Sequence, residues 1–163
     1  VAYGGGLQIA MGADIRLARP DTKLSVMEIK WGLIPDMSAS QTLRDLVRLD
    51  VAKELTFTGR VVKAEEALSL GLVTRLEEDP VSAGLEMARD IAGRSPDAIT
   101  LSKYLLDNAW HGDETEGLRL EEKLQDRIIA KGNQMEAVMS AMEGREAGFK
   151  QRAITSFDDI KEL

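Results

Sequence analysis

The order of hydrophobic and polar residues changes over short distances in the first 76 positions of the chain. Apolar residues at every second position predict a strand, whereas a spacing of three or four predicts a helix. These spacings predict a helix over 6–12, strands over 14–18 and 23–27, a loop over 32–36, helices over 39–47, 51–57 and 63–70, and a strand over 72–76. Because strands and helices alternate, we predict an α/β fold for residues 1–76.

Short polar residues and glycines mark the expected ends of these helices. Ser38 and Asp50 each precede a helical pattern, where their side chains are predicted to accept hydrogen bonds from free backbone amides. Gly59 and Gly71 follow helical patterns and are predicted to end them.

Helical spacing dominates from residue 77 onward, with helices predicted over 81–92, 96–110, 115–130 and 134–144. Ser95-Pro96 opens the second of them in the favoured order of a cap followed by proline. The third is strongly charged, with Leu118, Leu120, Leu124 and Ile128 partly lining one face. Residues 145–163 are charged and poorly periodic, so we expect a tail that docks on something or is loose. The chain therefore divides into a mixed part, 1–76, and a helical part, 77–163.

The composition is that of a globular protein and limits its partners. Of 163 residues, 44% are hydrophobic and 30% charged, and the net charge is −7, which argues against nucleic acid as the main partner. The absence of cysteine excludes disulfides and thiol catalysis. No apolar run reaches the ~18–20 residues of a membrane span, and we expect a cytoplasmic protein without a membrane partner. Val1-Ala2-Tyr3 resembles the end of a buried strand, so we expect the chain to be the later part of a longer protein.

The stretch Tyr3-Gly4-Gly5-Gly6-Leu7-Gln8 combines three glycines with the start of a helix. Glycine permits a sharp turn, and the first amides of a helix have no partner inside it. Such a turn can offer N–H groups to an oxygen that gathers negative charge. A phosphate cradle is the rival interpretation, although the Lys-Ser/Thr of a P-loop is missing. A plain tight turn that packs against a neighbour is equally open at this stage.

Three polar residues are candidates for the chemistry of a site near this turn. Gln8 falls on the same helix face as Gly5, Glu28 ends the second predicted strand, and Asp36 follows in the next loop. The two acids flank an apolar stretch, and apolar surroundings disfavour the charged form of a carboxylate, which suits proton transfer. Each has a structural alternative: Gln8 as a solvated helix residue, Glu28 paired with Lys30 or Arg16, and Asp36 as a helix cap.

Other chemistries find no support in the sequence. The single histidine, His111, stands in a Gly-Asp loop far from the candidate acids, which leaves no serine triad. No group of His, Asp or Glu has metal-ligand spacing, so no metal is expected. Trp31 and Trp110 are interpreted as packing residues, with Trp31 beside the candidate acids.

Several blocks in one order resemble the crotonase superfamily, the enoyl-CoA hydratases and isomerases. They extend over nearly the whole chain, as follows: 1–8, Gly12-Ala13-Asp14-Ile15-Arg16, Leu24-Ser25-Val26-Met27-Glu28 with Gly32-Leu33-Ile34-Pro35, Leu55-Thr56-Phe57-Thr58-Gly59-Arg60, Ala64-Glu65-Glu66-Ala67, Gly71-Leu72-Val73 and Ser95-Pro96. Together these blocks are far more specific than the three glycines alone.

The resemblance implies a partial crotonase-like spiral of ββα units followed by a C-terminal helical trimerisation region, in a homotrimer or a hexamer built as a dimer of trimers. It implies an acyl-CoA thioester as substrate, with coenzyme A as part of that substrate and no separate cofactor. The Gly5 amide would be one donor of an oxyanion hole, and the other would come from an earlier segment outside this chain. The substrate-binding residues would be Gly4, Gly6, Gln8, Trp31 and Pro35.

The acidic residues that the family uses for catalysis indicate whether the chain resembles a hydratase or an isomerase. Hydratases of this family use two glutamates, of which Glu28 matches the second, whereas Gln8 stands at the first and cannot take a proton at neutral pH. Asp36 falls where dienoyl-CoA isomerases carry an aspartate. We predict a proton shuttle centred on Glu28, with Asp36 as second acid or as a residue that tunes it. Hydration by a single acid, with Gln8 positioning the water, stays open. So does a truncated fragment without catalytic activity that only oligomerises or binds.

Overall fold

The computed structural model describes residues 1–153, and the chain separates into two compact units, Val1–Leu85 and the residues from Glu86 onward. The predicted tail extends into 154–163, which lie outside the described residues. The boundary between the units falls later than the predicted division between residues 76 and 77, and the roles assigned to the two parts stay predictions.

The first unit contains short strands and helices in alternation. In chain order they are β1 (Ala2–Tyr3), α1 (Gly5–Met11), β2 (Leu17–Ala18), β3 (Lys23–Ser25), a 3₁₀ turn (Glu28–Trp31), α2 (Ala39–Leu46), α3 (Leu49–Thr58), β4 (Val62–Lys63), α4 (Ala64–Leu70) and β5 (Arg75–Leu76). Helix α5 (Pro80–Ala92) begins in this unit and ends in the next. The second unit continues with α6 (Pro96–Ala109), α7 (Glu114–Ile128) and α8 (Gly132–Glu143). The predicted α/β character of the first part and the helical character of the second are confirmed.

The strands are shorter than predicted, because each keeps its pairing for two or three residues. The predicted strand over 14–18 is formed only at Leu17–Ala18; before it, the Thr74 N–H donates to the Arg16 carbonyl and the Arg16 N–H to Thr74 Oγ1. The predicted strand over 23–27 ends at Ser25. Glu28 therefore begins the 3₁₀ turn instead of ending a strand, which was wrong in the sequence prediction.

The helix ends confirm some of the predicted stops and caps and contradict others. Gly59 and Gly71 end α3 and α4 with left-handed backbone, as predicted, and Ser95 Oγ accepts from the Ala98 N–H at the start of α6. The predicted side-chain caps at Ser38 and Asp50 are wrong. Ser38 precedes α2 with a φ of 69° and makes no side-chain cap bond, while Asp50 lies inside α3, where it accepts from Arg48.

Strand pairing brings two chain segments to one edge of the sheet. β1 pairs parallel with β3, with Ala2 opposite Leu24 and Tyr3 opposite Ser25, and β4 adds antiparallel to β3. In a second, smaller sheet β2 pairs parallel with β5. Because β1 and β3 run in the same direction, the residues that follow Tyr3 and Ser25 leave the sheet side by side. The Gly4 N–H continues this pairing with a 2.9 Å bond to the Ser25 carbonyl.

The core of the first unit is aliphatic and lies between the sheet and helices α1 to α4. Its buried members are Leu7, Met11, Leu24, Val26, Ala39, Leu43, Leu55, Val62, Ala67, Leu72 and Val73. Each large aliphatic side chain removed from water contributes about 1.5–3 kcal/mol. Ser25 is also buried here, and its hydroxyl donates to the Gly59 carbonyl, which holds the end of α3 beside the end of β3.

The second unit packs α6 against α7 around Leu101 and Leu124, with Tyr104, Leu105, Leu120 and Ile128 partly buried beside them. Leu118, which the sequence placed on the same face, is exposed. Residues 145–153 return to α8, since the Gly148 N–H donates to Glu136 and the Lys150 N–H to Asn133. The described part of the expected tail thus docks on this unit.

Across residues 1–153, no helix has the length and apolar character that crossing a bilayer requires.

Gly71 gives a test of the junction between α4 and the sheet. Its φ is +91°, and an added Cβ would collide with the Leu46 carbonyl oxygen at the end of α2. We expect Gly71→Ala to lower the free energy of unfolding of the full-length protein by about 2–4 kcal/mol, measured by denaturant titration. Gly6→Ala is the matched control, because no atom lies near its added Cβ and it is helical; it should change stability by less than about 1 kcal/mol. Equal effects of the two substitutions would contradict this account.

Arg145 and Glu136 give a test of how residues 145–153 dock. Hydrogen bonds from Arg145, and then from the Gly148 N–H, lower the pKa of Glu136 from 4.5 to about 2. Because the pKa is lower in the folded state, this contribution to stability is full above pH 4.5 and is lost as the pH falls towards about 2.

An NMR titration of the Glu136 carboxyl should show this low midpoint. Arg145→Gln should return it towards 4.5. Arg119→Gln is the control, because Arg119 pairs with Glu116 and should leave the midpoint unchanged. A normal midpoint in the unsubstituted protein would show that the docking is absent in solution.

Candidate active site

A cavity of about 380 Å³ opens where the chain leaves β1 and β3. Its lining residues are Tyr3, Gly4, Gly5, Gln8, Met27, Glu28, Trp31, Leu33, Asp36 and Met37. Six of the eight predicted site residues are among them. Gly6 and Pro35 are not: Gly6 is exposed on α1, and Pro35 lines a neighbouring apolar cleft with Leu43 and Phe57. Their predicted substrate contacts stay predictions.

Parallel pairing explains why residues distant in sequence meet here. β1 ends at Tyr3 and leads into the glycines and α1, which carries Gln8. β3 ends at Ser25, and the chain then curls into the 3₁₀ turn that begins with Glu28. Since the two strands end at the same edge, Gln8 and Glu28 are neighbours in space although twenty positions separate them.

Gln8 and Glu28 form a buried hydrogen-bonded pair. Gln8 is 3% exposed and Glu28 is 8% exposed, and Gln8 Nε2 donates to Glu28 Oε1 over 2.6 Å. The structural alternatives for both residues are thereby excluded. Gln8 is not solvated, and Glu28 pairs with neither candidate cation: Arg16 donates to the Leu72 and Ala13 carbonyls, and the Lys30 ammonium lies over the Trp31 ring.

The amide oxygen of Gln8 accepts hydrogen bonds at the start of helix α2. Gln8 Oε1 accepts from the Met37 N–H at 2.7 Å and from the Ala39 N–H at 3.3 Å. This side chain from α1 thus holds the start of α2 from outside the helix, at N–H groups other than those of Ser40 and Gln41 that a Ser38 side-chain cap would engage. The sequence carries no local signal for it, because the acceptor comes from another helix. The alternative role of Asp36 as the helix cap is not observed, since the cap residue is Ser38.

The second carboxylate oxygen of Glu28 is the unusual atom of the site. Oε2 is buried, and among residues 1–153 it has no hydrogen-bond partner. An unsatisfied buried polar atom costs about 1–3 kcal/mol, and more when it is charged, so such atoms are rare away from functional sites. Glu28 lines the cavity, which makes this oxygen the candidate for contact with a bound molecule.

Gly4 and Gly5 stand opposite the carboxylate. Gly4 has a φ of +52°, a backbone conformation that favours glycine, and an added Cβ would lie in van der Waals contact with Glu28 Oε1, at 3.4 Å. The Gly4 N–H is engaged by Ser25, whereas the Gly5 N–H begins α1 and has no acceptor within residues 1–153. Gly5, whose N–H is free within residues 1–153, and the unpartnered oxygen of Glu28 therefore belong to residues that line the same cavity.

The charge of the cavity lining opposes the binding of a phosphate group within the cavity. The carboxylates of its lining are Glu28 and Asp36, and no lysine or arginine of residues 1–153 lines it. Asp36 is exposed at the cavity. A phosphate cradle is not supported by this arrangement. No group of His, Asp and Glu within the same described range could hold a metal ion.

Met37 is a site residue that the sequence prediction missed. Its N–H bonds to Gln8, and its Sδ lies where a Cβ on Gly5 would come within 3.0 Å. Trp31, interpreted from the sequence as packing, lines the cavity but is 71% exposed. Neither position is marked by hydrophobic periodicity, since both lie in irregular backbone around the 3₁₀ turn and loop.

Comparisons with known proteins show which family this chain resembles. Residues 1–152 match the family described as enoyl-CoA hydratase/isomerase. The short-chain-enoyl-CoA hydratase of Clostridium acetobutylicum is 33% identical over 154 residues, covering 93% of this chain and 59% of that protein. The mitochondrial methylglutaconyl-CoA hydratase of Mus musculus is 29% identical, covering 92% of this chain and 50% of that protein.

Solved structures give the same result for the fold. The crystal structure of enoyl-CoA hydratase from Bacillus anthracis superposes with a TM-score of 0.85 at 31% identity, covering 91% of this chain and 58% of that one. The chain thus spans between 50% and 59% of the length of these three relatives.

Proposed function

The chain belongs to the enoyl-CoA hydratase/isomerase family, and on this premise we propose that Glu28 transfers a proton within an acyl-CoA thioester. The family match and the structural similarity confirm the crotonase superfamily and its fold, with a helical C-terminal part. The proposal concerns the reaction, the residues that carry it and the assembly.

The unpartnered Oε2 of Glu28 is the observation that carries the proposal. A buried carboxylate oxygen that accepts no hydrogen bond keeps its lone pairs available. It can therefore take a proton from a carbon atom of a bound molecule without first breaking a hydrogen bond. In the proposed reaction it takes a proton from the carbon next to the thioester carbonyl. It then returns that proton to another carbon of the same acyl chain, so that the double bond moves and no atom is gained or lost.

The Gly5 amide is the proposed partner of this carboxylate. Its N–H has no acceptor within residues 1–153, and Gly5 lines the same cavity as Glu28. A donor aimed at the thioester oxygen stabilises the enolate that forms when the proton leaves, which typically contributes about 3–4 kcal/mol per donor. The second donor is proposed to come from outside these residues.

Asp36 has a less direct role in this proposal. It lines the cavity, is exposed, and has no ion-pair partner within residues 1–153. It either relays a proton between Glu28 and solvent or tunes Glu28 by its charge. Both roles are consistent with a second acid at the cavity opening.

Hydration is the second candidate, because the relatives named above are hydratases. In that reaction Glu28 would activate water instead of moving a proton between carbons. The contacts of Gln8 favour isomerisation. Gln8 Oε1 is already used by two backbone N–H groups, so Gln8 cannot accept a hydrogen bond from a water and can hold one only through its second N–H. The fragment without catalytic activity has no observation in its favour.

The proposed partner of the chain, besides an acyl-CoA, is a copy of itself. Large apolar side chains are exposed on the helices of the second unit, among them Leu106, Trp110, Leu118, Val138, Met139 and Met142. Exposed apolar surface of this kind supports association into the trimer or hexamer implied by the resemblance. We propose the cytoplasm as the location.

Glu28→Gln tests the reaction directly. The full-length protein is incubated with 2-enoyl-, 3-enoyl- and dienoyl-CoA in heavy-oxygen water. We expect double-bond movement without label in the unsubstituted protein, and a loss of about 10²–10⁴-fold in kcat in Glu28→Gln, since the amide cannot accept the proton. Glu65→Gln, an exposed acid on α4, is the control and should keep full activity.

Label in the product would instead establish hydration. Activity within about threefold of the unsubstituted protein in Glu28→Gln would overturn the proposed role of this residue in either reaction.

Met142 tests the assembly, because its side chain is 80% exposed on α8. Light scattering of the full-length protein should give a trimer or a hexamer, and Met142→Glu should lower the mass because a buried unpaired charge disfavours an interface. Gln125→Glu adds the same charge on the exposed face of α7 and serves as the comparison. A monomeric unsubstituted protein at micromolar concentration would contradict the proposed assembly.

A further inference from the structure

We propose that Gln8 is a positioning residue, which holds Glu28 by Oε1 and so reserves Oε2 as the one proton-carrying atom of the site. This inference rests on the proposed function of Glu28 and deepens it. It replaces the sequence-based assignment of Gln8 as a substrate-binding residue. The buried amide of Gln8 makes three hydrogen bonds, one to Glu28 and two to backbone N–H groups.

The orientation of the Gln8 amide follows from the chemistry of its partners. Met37 and Ala39 offer backbone N–H groups, which need an acceptor, so the amide oxygen must face them. The NH₂ group is thereby directed at Glu28, where it can only donate. Glu28 Oε1 is consequently an acceptor and is held at 2.6 Å. Within residues 1–153 no other donor reaches this carboxylate.

The two oxygens of Glu28 are thus made unequal by their surroundings. Oε1 is bonded to Gln8 and lies beside Gly4. Oε2 is buried and has no partner within the described residues. A proton placed on Oε2 would disturb none of the recorded hydrogen bonds, whereas a proton on Oε1 would disrupt the bond from Gln8. The carboxylate can therefore take up and release a proton at Oε2 while Oε1 stays hydrogen-bonded to Gln8.

Gln8 also connects the base to the loop that carries Asp36. Its oxygen holds the start of α2 on either side of Ser38, which has left-handed backbone that is unfavourable for a residue with a side chain. One side chain from α1 therefore fixes the 3₁₀ turn and the loop at the same time. A Glu at this position could accept from the same two N–H groups, but it would place a second carboxylate against Oε1, and the pair would have to share a proton.

The burial of Gln8 favours a positioning role over direct contact with the substrate. Its side chain is 3% exposed, its oxygen is fully used, and one N–H remains uncommitted. A residue that acts only through Glu28 should affect the rate of the proton transfer and leave the binding of the substrate unchanged. This difference distinguishes the inference from direct substrate binding.

The test compares Gln8→Met, which keeps the length of the side chain and removes all three bonds, with the unsubstituted full-length protein. We expect kcat for double-bond movement to fall about 10- to 100-fold and KM to stay within about threefold. Calorimetry measures the dissociation constant of acetyl-CoA with and without Gln8→Met, first in the otherwise unsubstituted protein and then in the Glu28→Gln background. In each background the two dissociation constants should differ by less than about threefold. A loss of binding of about tenfold or more, or an unchanged kcat, would overturn the inference.

Gln8→Glu provides a second test of the inference in case Gln8→Met fails to fold. This variant retains an acceptor for the Met37 and Ala39 N–H groups, so we expect it to fold, and its thermal transition is measured first. It replaces the neutral amide donor by a carboxyl group that shares a proton with Glu28 Oε1, so its kcat for isomerisation should fall and should acquire a new dependence on pH. A kcat and a pH profile equal to those of the unsubstituted protein would refute positioning by the neutral amide.

Failure of this inference is distinguishable from failure of the proposed function. If Glu28→Gln stays active, the proposed function itself is wrong. If Glu28→Gln is inactive while both Gln8 variants keep their kcat, Glu28 is the base and Gln8 does not position it.

Discussion

The hydrogen bond between the Gln8 amide and the Glu28 carboxylate is the contact on which the site depends. It joins α1 to the 3₁₀ turn after β3, and through its oxygen it joins both to the start of α2. The three segments come from separate parts of the sequence, and none of them has a regular structure long enough to fix its own position. A single buried side chain with one donor face and one acceptor face bonds to all three segments, in addition to the strand pairing and core packing that bring them together.

The rest of the first unit serves to bring this amide to its partners. The parallel register of β1 and β3 places Gly4 beside Ser25 and therefore α1 beside the 3₁₀ turn. The aliphatic core beneath supplies the stability that offsets an unsatisfied buried oxygen on Glu28 and left-handed backbone at Ser38. Local costs of this type are concentrated where a protein binds or reacts, and here both lie within one hydrogen-bonded network.

The sequence predicted what depends on neighbouring residues. Gly59 and Gly71 end their helices because a left-handed residue is needed at a helix end, and Ser95 caps α6 because its acceptor lies three positions before its donor. The resemblance to the crotonase superfamily placed Gly5, Glu28 and Asp36 together, and the structure does bring them to one cavity.

Contacts between distant residues were beyond such reasoning. Ser38 has the right chemistry to cap α2 but makes no side-chain cap bond, whereas the Gln8 oxygen accepts from the first amide of the helix, and no spacing rule links positions 8 and 39. Strand lengths were overestimated for the same reason, because a strand extends only as far as its partner does. The cavity role of Met37 likewise depends on its approach to Gly5 across the fold.

A crystal structure of the full-length protein with a bound, non-reacting acyl-CoA analogue tests the central claim most directly. The account predicts Glu28 Oε2 within about 3.5 Å of the carbon next to the thioester carbonyl, with Oε1 still bonded to Gln8. It also predicts the Gly5 N–H within about 3.1 Å of the thioester oxygen. An analogue whose reactive carbon lies far from Oε2, or a Glu28 side chain turned away from the Gly5 amide, would contradict it.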